Sequence, residues 1–191
     1  MIKMIRHTHF IKAVLLSCFF VCACENDIRQ VRELSAKKTS TEQATNVESY
    51  LSQDAIVKAK LTAPLMLRIE ADTPRTEFPK TLRVEFYDDS IKVESRLFAK
   101  YGRYLQNQAK VLLRDSVVVY NVKGDTMRTN ELLWDQNKGN FTTDKPVYIH
   151  QPNGNIINSI GMTASQDLND IKLFKIQPTT FLYVADSTMP Q

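Results

Sequence analysis

The sequence predicts an all-β domain of the sandwich, jelly-roll or barrel kind, preceded by a short secretory leader and a polar tether. Three observations predict it: apolar–polar alternation from Asp54 onward, turn residues at intervals of about 8–12, and no convincing long helix after Gln53. No fixed repeat period supports a propeller or solenoid, so one domain accounts for the text.

The leader comes first. Lys3, Arg6 and Lys12 precede the apolar run Ala13 to Ala23, and Glu25-Asn26-Asp27 ends that run. This is the layout of a signal peptide. A helix that spans a bilayer needs about 20 apolar residues, and the run supplies roughly half of that. Val21-Cys22-Ala23-Cys24 has the small, apolar character that precedes a lipidated cysteine, so the expected leader is 1–23, with cleavage before Cys24. Leu16-Ser17-Cys18 fits the same pattern, but using it would leave a very short apolar core and an apolar mature terminus. An ordinary cleaved signal and a short buried helix are the plainer alternatives. Several acyl chains of the palmitate class on one cysteine give stable anchoring, because each buried CH₂ contributes about 0.8 kcal/mol.

Loss of the leader removes Cys18 and Cys22, so the mature chain keeps only Cys24, and neither a disulfide framework nor a thiolate metal site is expected. The formal charge falls from +4 to +1, since Lys3, Arg6 and Lys12 leave and no acidic residue does. A nearly neutral domain has no electrostatic case for binding nucleic acid.

From Glu25 to Gln53 the text is polar and rich in Ser, Thr and Gln, and residues 24–53 read as a lipidated cysteine and tether, with a turn or two of helix at the Ile28-Val31-Leu34 spacing. Strand text follows over 54–191. Leu82, Val84 and Phe86 alternate with Arg83, Glu85 and Tyr87, Asp88-Asp89-Ser90 turns the chain, and Ile91, Val93, Leu97 and Ala99 resume it. Ala109 to Val119, Met127 to Trp134, Val147 to Ile149, Ile156 to Ile160 and Ile171 to Leu173 continue the pattern, with turns at Lys123-Gly124-Asp125, Asn137 to Asn140, Gln151 to Gly154 and Asn169-Asp170.

Chemistry is sparse. His150 is the mature chain's single histidine and reads as a strand residue, which excludes a histidine metal cluster. Asp88-Asp89 has the signature of a turn, and Glu131 with Asp135 is the best carboxylate pair for a hydrolase. The five glycines form no phosphate-cradling motif, so no cofactor is expected. The strands offer apolar surface instead: Val84, Phe86, Val93, Leu97, Val111, Leu113, Val117, Val119 and Trp134 are expected to face inward. They either fill a core or line an interior that admits acyl chains.

The order of several segments carries a resemblance. Leu61-Thr62-Ala63-Pro64-Leu65-Met66, Phe78-Pro79-Lys80, Val84 to Asp88, Ser95 to Ala99, Gly102-Arg103-Tyr104, Asn121 to Asp125, Thr129 to Trp134 and Thr142 to Val147 together resemble the LptC family of lipopolysaccharide-export proteins, over roughly Asp54 to Leu173. The resemblance implies an OstA-like β-jelly-roll of two antiparallel sheets. It also implies lipopolysaccharide as cargo, received from the membrane subunits of an inner-membrane ABC transporter. The cargo would pass to a periplasmic LptA-like bridge protein that stacks edge strand to edge strand. The implied location is the periplasmic face of the inner membrane of a Gram-negative bacterium, and the implied transport is non-catalytic.

Two features depart from the family pattern. Members commonly carry an N-terminal transmembrane helix where this chain has the cysteine motif, and a glycine-rich turn near the last strands is reduced to Ile160-Gly161-Met162-Thr163. The alternative from another class is a cell-surface β-sandwich lipoprotein that binds glycan or protein.

Overall fold

The computed structural model describes residues 40–71 and 73–183. The leader 1–23, Cys18 and Cys24 as alternative lipidation sites, and the tether from 24 to 39 with its helical spacing lie outside the described residues. Among the described residues no helix is long and apolar enough to cross a membrane.

Eleven strands form one antiparallel sheet: β1 (Ser40–Gln53), β2 (Ile56–Glu70), β3 (Arg75–Phe78), β4 (Leu82–Tyr87), β5 (Val93–Ala99), β6 (Tyr101–Leu105), β7 (Lys110–Asn121), β8 (Thr126–Asp135), β9 (Asn140–His150), β10 (Ile156–Ser165) and β11 (Ile171–Ile176). A 3₁₀ turn at Gln106–Gln108 joins β6 to β7. The all-β domain expected from the alternation and the jelly roll implied by the resemblance are present, and the two layers are parts of one continuous sheet.

The reason is a line of irregularities across neighbouring strands. The β7–β8 register shifts between Arg114 and Val117, the β8–β9 register between Thr129 and Leu133, and the β9–β10 register between Ile160 and Met162. Bulges bend a strand sharply and raise its twist. Asp115 and Ser116 take φ of +63° and +55°, and Gly161 takes +82°. At Gly161 a Cβ would lie 2.8 Å from Phe174 Cδ2 in a left-handed backbone, so only glycine fits without strain. Ile160-Gly161-Met162 is therefore a bulge inside β10, not a turn.

On either side of this line β7 has different neighbours. Its first half pairs with β6 and its second half with β5, and the Lys100 N–H between those two strands donates to the Asp115 carbonyl at 3.0 Å. Likewise β2 pairs with β4 through Ala59 to Thr62 and with β3 through Leu67 to Ile69. The pairings therefore run in a ring, β7–β5–β4–β2–β3–β6–β7, around the gap between the two halves. Polar side chains bond backbone groups along the bend: Thr129 Oγ1 donates to the Pro146 carbonyl, Ser159 Oγ donates to the Gly161 carbonyl, and Thr143 Oγ1 accepts from the Lys145 N–H. All three are buried, where an unpaired polar group is costly.

The core lies between the layers. Phe86 of β4 meets Trp134 of β8 edge-on at 5.0 Å and Phe141 of β9 at 5.6 Å, across strands that are not sheet neighbours.

One boundary is corrected. The tether expected over 24–53 ends at Ser40 at the latest, because Ser40–Gln53 is a fourteen-residue strand paired with β2 along nearly its whole length. Its side chains are mostly exposed, so it carries no period-2 signal, and backbone pairing holds it in place.

Candidate functional site

At the β10–β11 end the layers are joined. Leu168 in the β10–β11 turn is 2% exposed and enters the core. Ser95 Oγ of β5 donates to the Gln166 carbonyl at 2.5 Å, and Asn121 Nδ2 at the end of β7 donates to the Asp167 carbonyl at 3.1 Å. Asn121 also orders its own turn, since its Oδ1 accepts from the N–H groups of Lys123 and Asp125. Two carboxyls here shift in opposite directions. Desolvation pushes Glu94 up, although Gln166 Nε2 donates to it. Burial pushes Asp167 up too, but bonds from the Ser165 hydroxyl and from the Asn169 N–H and amide bring it below its ordinary value.

At the β1–β2 end the layers part. A cleft of about 360 Å³ opens there, with Leu51, Ala59, Leu61 and Met66 on the β1–β2 wall and Phe78, Tyr104, Val111 and Trp134 on the wall formed by β3, β6, β7 and β8. That volume falls within the range of small-molecule sites, about 300–1,000 Å³. Leu51, Leu61, Met66 and Tyr104 are only partly buried against the core. Polar groups stand around the apolar lining, among them Ser49, Thr76, Gln106 and Gln136. Arg68 also lines the cleft, its Nε 2.9 Å from Glu70. On β1, Tyr50 bonds Glu48, which also pairs with Lys60 at 2.9 Å, and these contacts hold Glu48 below the ordinary carboxylate value.

The structure sorts the residues expected to face inward. Val84, Phe86, Leu97, Val111, Leu113, Val117, Val119 and Trp134 are all at most 2% exposed, whereas Val93, near the β4–β5 turn, is half-buried. Only Val111 and Trp134 of the nine line the cleft, and the others fill the space between the layers. The cleft residues that sequence reasoning missed lie mainly on β1 and β2. A period-2 reading of Ala59-Leu61-Ala63 would have found half of the β2 set, but the phase changes beyond Pro64, where Met66 and Arg68 face the cleft.

The carboxylates have structural roles. Glu131 pairs with Arg114 at 2.6 Å, Asp135 Oδ1 accepts from the Lys138 N–H in its turn, and Asp88 Oδ1 accepts from the N–H groups of Ser90 and Lys92. His150 is exposed on β9.

Two edges of the sheet are open among the described strands, β1 and β11. Beside β11 the side chains of Phe174, Ile176, Phe181, Leu182 and Tyr183 are all more than half exposed.

No curated protein matches the chain. The family model described as lipopolysaccharide-assembly, LptC-related, matches residues 10–178. A jelly roll with an apolar cleft between its layers, matched over most of its length by that model, belongs to the LptC-related family, and its role is in lipopolysaccharide transport and assembly.

Proposed function

We propose that the chain is a membrane-anchored subunit of the lipopolysaccharide export bridge. It accepts lipopolysaccharide from the membrane subunits of the inner-membrane ABC transporter and passes it to a periplasmic LptA-like jelly roll. The observation that carries this reading is the apolar cleft at the β1–β2 end, where the lining is hydrophobic and the wall is only half-packed. Acyl chains enter between the layers, and the sugar and phosphate groups stay at the polar rim. The residues proposed to touch acyl chains are Val111 and Trp134 in the cleft. Val84, Phe86, Val93, Leu97, Leu113, Val117 and Val119 do so as the layers separate.

The two open edges fit partners of the same fold. An unpaired strand presents a row of N–H and C=O groups, and a neighbouring jelly roll satisfies them by adding its own edge. Transport of this kind breaks no covalent bond in the cargo, so the energy comes from the transporter. The anchor is the lipid on Cys24, with the polar segment behind it as a spacer.

Depletion of the protein tests the reading. Newly made lipopolysaccharide is expected to build up at the inner membrane, and normal delivery to the outer membrane would contradict it. A Cys24→Ala variant tests the anchor separately. Release of the domain into the soluble fraction is the expected result, and unchanged membrane fractionation would remove the lipid from the account.

A further inference from the structure

Among the described residues, the indole Nε1 of Trp134 is the single buried side-chain nitrogen or oxygen without a hydrogen-bond partner. The residue is 2% exposed, Phe86 holds its ring edge-on, and it forms part of the cleft wall. The other buried polar side chains are all occupied, at the bend, at the joined end or, for Asp135, in the β8–β9 turn. A buried donor left unpaired loses its hydration for nothing in return. Packing uses the volume of the indole rings and not the N–H, so packing alone does not account for an unpaired donor here.

We propose that the Trp134 N–H is the polar contact inside the cleft, and that it donates to a neutral acyl carbonyl oxygen, ester or amide, at the root of one of the cargo's chains. The inference rests on the reading of the cleft as the lipid site. The chemistry of the walls selects this acceptor. Around Trp134 the lining is apolar, with Ala59, Leu61, Phe78 and Val111, and one neutral donor does not compensate a buried carboxylate or phosphate. The one cation of the lining, Arg68, is half-exposed and already engaged by Glu70, which leaves anionic groups at the rim. A carbonyl fixed on Trp134 sets the depth to which the chain inserts.

Nε1 is buried here, so a carbonyl reaches it only as the wall opens, and the half-buried Leu61 and Met66 are lining side chains with room to move. The unbranched thioether of Met66 suits such a move.

The test replaces Trp134 in the full chain by 3-benzothienylalanine, which keeps the ring shape and puts sulfur where the N–H was. Trp134→Phe serves as an encoded second variant. The probes are purified lipopolysaccharide, an ester-linked diacyl glycerophospholipid and its ether-linked counterpart of equal chain length. Wild type is expected to bind the ester probe about three- to tenfold more tightly than the ether, the worth of one hydrogen bond. The benzothienyl variant is expected to bind both at the ether's affinity and to melt at or above the wild-type temperature. The same ester preference in both proteins overturns the inference while leaving lipid binding intact. A markedly lower melting temperature for the variant also overturns it, because the N–H then has a partner within the protein. Failure of wild type to bind lipopolysaccharide removes both the inference and the reading beneath it.

Discussion

The two ends of the folded sheet differ in what closes them. At the β10–β11 end a turn crosses from one layer to the other, Leu168 fills the gap, and Ser95 and Asn121 bond its backbone. At the β1–β2 end no such strap crosses among the described residues, and half-buried Leu51, Leu61, Met66 and Tyr104 face each other across a cleft. The same sheet thus has a packed seam and an open one, and on the proposed reading stability and lipid access are divided between them. Regions with few buried contacts open at the lowest free energy.

The largest expected effect separates the two seams. Leu168→Ala removes a fully buried side chain at the packed end and is expected to lower unfolding free energy by about 2–5 kcal/mol in urea titrations. Leu61→Ala, at the open end, is expected to have well under half that effect and to weaken lipopolysaccharide binding instead. Equal stability losses would erase the distinction.

Gly161→Ala tests the bend that both seams share. A side chain at φ +82° beside Phe174 is expected to destabilise by about 2 kcal/mol, read as a lower urea midpoint. Asn121→Ala strips the packed seam of its Asp167 contact and its own turn of two acceptor bonds, and is expected to lower stability by about 1 kcal/mol, since solvent reaches the freed groups.

The smallest effect is electrostatic. Desolvation raises the Glu94 pKa on folding, so the folded state favours the protonated form, and the ionised carboxylate opposes folding at neutral pH. Glu94→Gln is therefore expected to raise the melting temperature slightly at pH 7. The gain should vanish as pH falls below the unfolded pKa, about 4.3 for Glu. A gain that persists in acid would assign the effect to something other than the charge. Asp167 runs the other way: its depressed pKa contributes stability above the unfolded value that is lost as pH falls through the folded one.

Much of this was legible in the text. Leu82-Val84-Phe86 and Val117-Val119 alternate because one face of each strand is buried, and a period of two survives in sequence. The Asp88 turn was legible because that side chain bonds its own backbone, whereas the turn at Lys123-Gly124-Asp125 was legible without the Asn121 side chain that orders it. Ser40–Gln53 was not, since an edge strand held by backbone pairing leaves no apolar signature. The bend was hidden as well. A bulge changes which face a residue takes, so Leu132 and Trp134 are buried in the opposite phase to Met127 and Thr129 of the same strand. The cleft was legible only in part, through Val111 and Trp134, because an open wall and a filled core use the same residue types.

The central claim is that lipopolysaccharide passes between the layers at the open seam. The most direct test places a photoreactive phenylalanine analogue at Met66, on the cleft wall, and separately at Tyr120, which is 41% exposed outside the cleft. After irradiation of intact membranes, a lipopolysaccharide adduct is expected from position 66 and none from position 120. An adduct from position 120 alone, or none from either position while export proceeds, would contradict the account.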